Sequence, residues 1–75
     1  MSDVDRHVAA NVRRLRVDRG MTQQNLAKAL GISFQQLQKY ETGKNRITIG
    51  RLVAICEQLE VSLSQMVHGI SKTAR

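Results

Sequence analysis

One glycine, Gly31, set between two short amphipathic stretches constrains this chain more than any other feature. Upstream of it, Leu26, Ala27 and Leu30 recur at i, i+1 and i+4; downstream, Leu37 and Tyr40 fall at i and i+3. Each spacing gathers apolar side chains on one face of a helix. Gly31 stands where the chain must leave the first helix with positive φ, and Ala27 is small where a second helix must cross closely. Two helices joined this tightly cross steeply. Ser33 is a good N-cap, Gln36 three residues later completes a capping box, and Ile32 with Leu37 makes a hydrophobic staple, so the second helix is expected to begin at or beside Phe34.

The same start signal recurs along the chain. A first helix is expected over 5–19, with Val8, Val12 and Leu15 on its apolar stripe and Gly20 as its stop. Thr22 caps the second helix, with Met21 and Leu26 as staple partners, and the third helix ends before Gly43. Thr48 caps a fourth helix over 49–59, with Ile47 and Leu52 as staple and Leu52, Val53, Cys56 and Leu59 as core stripe. Ser62 and Gln65 form a further capping box for a short fifth helix, stapled by Val61 and Met66, continued by Val67 and ended by Gly69. There is no proline, Phe34 and Tyr40 are the only aromatic residues, and β-branched residues are dispersed rather than alternating, so the expectation is all-α with no sheet. Residues 1–70 read as one domain and 71–75 as a frayed tail.

Size and composition exclude several classes of function. A chain of 75 residues buries only about 60% of its unfolded surface, which leaves no room for a large catalytic cleft and makes dimerisation helpful to stability. Cys56 is the single cysteine, so an internal disulfide and a multi-cysteine zinc site are excluded; it reads as a buried apolar thiol in a reducing compartment. Residues 1–5 lack a basic, apolar signal sequence, and no apolar run approaches the ~20 residues that span a bilayer, so a cytoplasmic location is expected. His7 and His68 are far apart in sequence, with no acidic or sulfur partner at metal-ligand spacing. Ser33, Ser62 and Ser64 are accounted for by caps and solvent exposure rather than nucleophilic chemistry, and no glycine-rich phosphate cradle exists. The chain is therefore read as neither an enzyme nor a metal protein, with no cofactor and no small-molecule ligand.

Charge points to a partner. The formal net charge is +6, and between residues 6 and 51 ten basic residues face only two acids, Asp18 and Glu41. Beyond Arg51 the charges cancel, and Asp3 and Asp5 make the N-terminus acidic. A charge run can be merely a solvated face; its coincidence with the Gly31 helix pair favours a polyanion.

The pattern of Leu26, Ala27, Leu30, Gly31, Ile32, Leu37 and Tyr40, followed by Tyr40-Glu41-Thr42-Gly43-Lys44, resembles the five-helix, lambda-repressor-like domain of phage repressor and Cro-like regulators, the Xre family. The resemblance covers nearly the whole chain. It implies a helix-turn-helix formed by the second and third helices, a homodimer, and double-stranded DNA as partner. It also implies an ion pair between Arg16 and Glu41 that orients the third helix, and a phosphate grip by Gln23 at the start of the second. At ~100° per residue, Leu37, Tyr40 and Glu41 turn inward while Gln35, Lys39, Thr42 and Gln38 turn outward. Gln35 suits adenine N6 and N7 and Lys39 suits guanine O6 and N7. Gln36 and Gln38 either reach a neighbouring base or phosphate or are solvated. Phe34 either meets a thymine methyl or packs over the end of the second helix, and here the sequence departs from the polar residue of familiar phage repressors.

Lys44, Asn45 and Arg46 form a basic loop suited to phosphates, Thr42 offers a hydroxyl, and Arg51 opposes the dipole of the fourth helix in a way that calls for an external anion. Arg13 and Arg14 either steer at longer range or are solvated. Val67 and Ile70 serve either a dimer contact or closure of the core. Altogether the expectation is a DNA-binding repressor reading a near-palindrome as a dimer. The alternative is an antitoxin or a coactivator-like interaction module on the same fold.

Overall fold

The computed structural model describes residues 1–70 and contains five helices there: α1 (Asp3–Asp18), α2 (Gln23–Leu30), α3 (Phe34–Glu41), α4 (Ile49–Leu59) and α5 (Leu63–Met66). The expected tail, 71–75, lies outside the described residues.

Local chemistry sets nearly every boundary. Thr22, Ser33, Thr48 and Ser62 each stand at an N-cap, and each hydroxyl accepts the backbone N–H three residues on. Before each cap sits a half-buried apolar residue (Met21, Ile32, Ile47, Val61), and four positions into each helix sits a buried one (Leu26, Leu37, Leu52, Met66). That is the hydrophobic staple, made four times in one small domain. α1 starts two residues earlier than expected, because Ser2 and Asp5 form a reciprocal capping box with an aspartate in the place usually taken by Glu or Gln. At α3 only half of the expected box forms: the Ser33 hydroxyl accepts from the Gln36 amide, while the Gln36 side chain is not bonded back.

Gly31 ends α2 in the left-handed region, at φ 70°. Its N–H donates to the Lys28 carbonyl and that of Ile32 to the Ala27 carbonyl, the paired bonds of a Schellman turn. α4 ends on the same pair of bonds, with Glu60 in the position that Gly31 holds.

The core joins Val12 and Leu15 of α1 to Leu26, Ala27, Leu37, Leu52, Ile55, Cys56, Leu59 and Met66. One expectation is corrected here. Val53 is 43% exposed, and Ile55 takes its place with no exposure at all. The stripe of α4 is 52, 55, 56 and 59, and a residue one step past Leu52 lies ~100° off it.

Candidate nucleic-acid interface

Helix α3 is rooted by its inner face and free on its outer one. Leu37 has no solvent exposure and Glu41 only 6%, whereas Gln35, Gln38, Lys39 and Thr42 are exposed. Tyr40, Phe34 and Gln36 are half-buried. The outward set of side chains shares a surface groove of about 640 Å³ with Gln23 and Lys44. The fold thus brings together Gln35, Gln38, Lys39, Thr42, Gln23 and Lys44, six of the residues that the sequence singled out.

What fixes α3 is a buried carboxylate. Glu41 accepts from Arg16 Nε at 2.6 Å and from Arg16 Nη2 at 3.1 Å, a fork-on-fork pair between α1 and α3. The remaining Arg16 nitrogen, Nη1, donates to the Met21 carbonyl at 2.7 Å, and the Gln23 Nε2 donates to Glu41 Oε1 at 2.9 Å. The Arg16 and Glu41 side chains keep 9% and 1% of their exposure. Removing either partner would strand a buried charge, whereas the intact group is satisfied: among the described residues no buried side-chain nitrogen or oxygen lacks a hydrogen bond.

After α3 the loop turns at Gly43, at φ 77°, where an added Cβ would meet Met1 Sδ at 3.5 Å and Arg6 Cγ at 3.7 Å. Lys44, Asn45 and Arg46 are exposed. The Asn45 amide donates to the Lys39 carbonyl, and Arg46 Nε lies 3.5 Å from Asp5 Oδ2. The Ser2 hydroxyl, then the Ser2 amide, hold the Asp5 carboxyl below its usual 3.8, with Arg46 and the N-terminus adding to the effect against a smaller opposing desolvation.

Two side chains have local engagements that sequence reasoning did not foresee. The Thr42 hydroxyl donates to the Gln38 carbonyl at 2.9 Å, so its hydrogen is used within α3 and lone pairs face outward. Arg51, half-buried, donates from Nη1 to the Leu30 carbonyl at 3.2 Å. The negative counterpart that its position demands is therefore the carbonyl end of α2. Asn11 was missed altogether: it is 6% exposed, and its amide donates to the Met66 carbonyl at 2.7 Å. A polar residue next to Val12 gives no pattern by which a sequence could reveal that bond.

A second, apolar groove of about 710 Å³ runs between the start of α1, the start of α4 and the residues after α5, lined by Val4, Val8, Ile47, Ile49, Val67 and Ile70 among others. Ile49 at its rim is 67% exposed. Among the described residues no helix is long and apolar enough to cross a membrane. No group of three or more His, Cys, Asp or Glu among them is placed to hold a metal ion.

Comparison with known proteins adds the following. The sequence pattern of a helix-turn-helix family matches residues 12–66. The chain is 47% identical, over 69 residues, to an uncharacterised transcriptional regulator in the ATPase CF(0) region of Rhodospirillum rubrum, covering 92% of this chain and 64% of that one. It is 46% identical, over 61 residues, to an uncharacterised HTH-type transcriptional regulator of Sinorhizobium medicae, covering 81% and 44%. The chain therefore spans about two thirds or less of these relatives' length. Among solved structures, a tyrosine-to-alanine mutant of the restriction-modification controller protein C.Esp1396I superposes with a TM-score of 0.80 at 26% identity, over 92% of this chain and 95% of that one. The clp gene regulator ClgR from C. glutamicum shares the fold with a TM-score of 0.86 at 24% identity, over 96% and 92%.

Proposed function

This chain belongs to the Cro/C1-type helix-turn-helix family of transcriptional regulators, and from that membership we propose that it binds double-stranded DNA sequence-specifically and represses transcription as a dimer on a near-palindromic operator. The observation that carries the reading is the division of α3 into a buried inner face, Leu37 and Glu41, and an exposed outer face, Gln35, Gln38 and Lys39, beside a basic loop. A helix held in this way can enter the major groove as a rigid reader.

In that pose Gln35 pairs with adenine and Lys39 with guanine, while Gln36 and Gln38 border them and Phe34 stands where a thymine methyl would lie. Gln23, Lys44, Asn45 and Arg46 hold phosphates on either side, as positional rather than sequence-reading contacts. Thr42 and Arg51 lie at the edge of this set, because each already serves a backbone carbonyl. Two copies would set their α3 helices about 34 Å apart, one turn of B-DNA. The apolar groove with Val67 and Ile70 is the surface proposed for the second copy, and the exposed Ile49 at its rim supports that choice, since a two-fold interface needs projection and recess on the same patch. Repression follows from excluding polymerase at an occupied promoter, and the setting is the cytoplasm.

Selection of bound fragments from a random duplex library at two salt concentrations tests this reading. A two-fold symmetric motif with half-sites about one helical turn apart is expected. Recovery of no motif at either concentration would overturn it.

A further inference from the structure

The helix-turn-helix pair is hinged at one end and tied at the other. Gly31 to Ser33 is the hinge, joining the last turn of α2 to the first of α3. The tie is the hydrogen bond from Gln23, the first residue of α2, to Glu41, the last residue of α3, at 2.9 Å. Arg16 holds the same carboxylate but belongs to α1. Of the polar side-chain bonds described, only the one from Gln23 runs between α2 and α3 themselves.

We propose that Gln23 is a positioning residue, whose bond to Glu41 sets the angle of α3 against α2 and thereby the fidelity of base reading. This rests on the DNA-binding role proposed above. The chemistry of the contact is directional. An ionised carboxylate only accepts, so the Gln23 amide must present its nitrogen to Glu41, and its second N–H and its oxygen remain for the groove shared with Gln38 and Lys39. An α3 of eight residues is about 12 Å long, so a pivot of about 5° at the Gly31 end moves its far end by about 1 Å. Recognition contacts tolerate only about 0.5 Å of displacement. Lys39, two residues from the tied end, lies further from the pivot than Gln35, so the base read by Lys39 is the one whose discrimination depends most on Gln23.

The test uses the full chain and compares the operator recovered by selection with an unrelated duplex of equal length. Gln23→Ala is expected to weaken operator binding at least ten-fold more than it weakens binding of the unrelated duplex, whose own loss reports the phosphate contact alone, with the greatest loss of discrimination at the base facing Lys39. A plain phosphate contact would instead weaken both duplexes by the same factor, and that result, or no change in either, overturns the proposal. Gln23→Met, which keeps the length but has no donor, is expected to behave as Gln23→Ala; recovery of the wild-type ratio would show that bulk and not the hydrogen bond matters, and would also overturn it. Nitrogen NMR of the free protein gives a reading without DNA. The Arg16 Nε–H signal and the amides of the last turn of α3 are expected to shift in both variants, and unchanged signals would remove the tie. Should selection return no operator, the DNA-binding role fails, while the NMR result still decides whether the tie exists.

Discussion

Glu60 holds φ 56°, a conformation in which its Cβ crowds the following carbonyl, and its N–H completes the turn that ends α4. Arg19 donates to its carbonyl oxygen at 2.7 Å, a bond that does not involve the glutamate side chain. Glu60→Gly should therefore keep the turn and the Arg19 bond while releasing the steric cost, raising stability by about 0.5–1 kcal/mol in a urea titration. A loss of stability would mean that the unfolded-state entropy of glycine outweighs the strain. Asp5 makes the second residue-level prediction. Its carboxyl titrates below its unfolded value because the ionised form accepts from Ser2, so its contribution is present above the ordinary carboxylate range and is lost as pH falls through the lowered value. The Tm difference between wild type and Asp5→Asn should be widest near about pH 7 and close toward about pH 3. A gap independent of pH would show that the capping box acts through shape alone.

At the level of elements, the exposed loop after α3 is the segment proposed above to hold phosphates. Replacing Lys44 and Arg46 together by Ala should lessen the slope of log affinity against log salt by about 1.8 per subunit, about 3.6 for a bound dimer, at about 0.9 per phosphate, with little change in the preferred sequence. An altered motif with an unchanged slope would make these side chains base readers. Four of the five helix starts were legible in the sequence, because a cap hydroxyl and a staple are local signals that need no knowledge of the fold. The outward set of α3 was legible for a similar reason, since Leu37 and Glu41 fix its rotation. Less legible was anything set by a distant partner. Arg51 reads as a cation in search of an anion until the end of α2 is seen beside it, and Gln23 reads only as a phosphate grip until Glu41 is seen to accept from it. Val53 was misplaced because an apolar residue beside a core stripe resembles a member of it, and only the neighbouring helices decide where the stripe ends.

For the molecule as a whole, a small core and an apolar groove of about 710 Å³ belong to one problem of stability. If a second copy fills that groove, Ile49→Lys should shift the protein toward monomer in sedimentation experiments and weaken operator binding, while leaving the far-ultraviolet helical signal intact, because Ile49 is 67% exposed and contributes little to its own core. An unchanged sedimentation profile would place any dimer contact elsewhere.

The lone thiol has a practical corollary. Cys56 is 5% exposed, and desolvation raises its pKa, so it should resist alkylation for as long as the fold persists. Gln35→Cys would then supply the accessible sulfur in a chain with one native cysteine, free to attack a mixed disulfide tethered to a nucleotide, forming the new S–S bond as the small capping thiol leaves. Chemical trapping could in that way map which step of the double helix each side chain visits, without altering the native thiol.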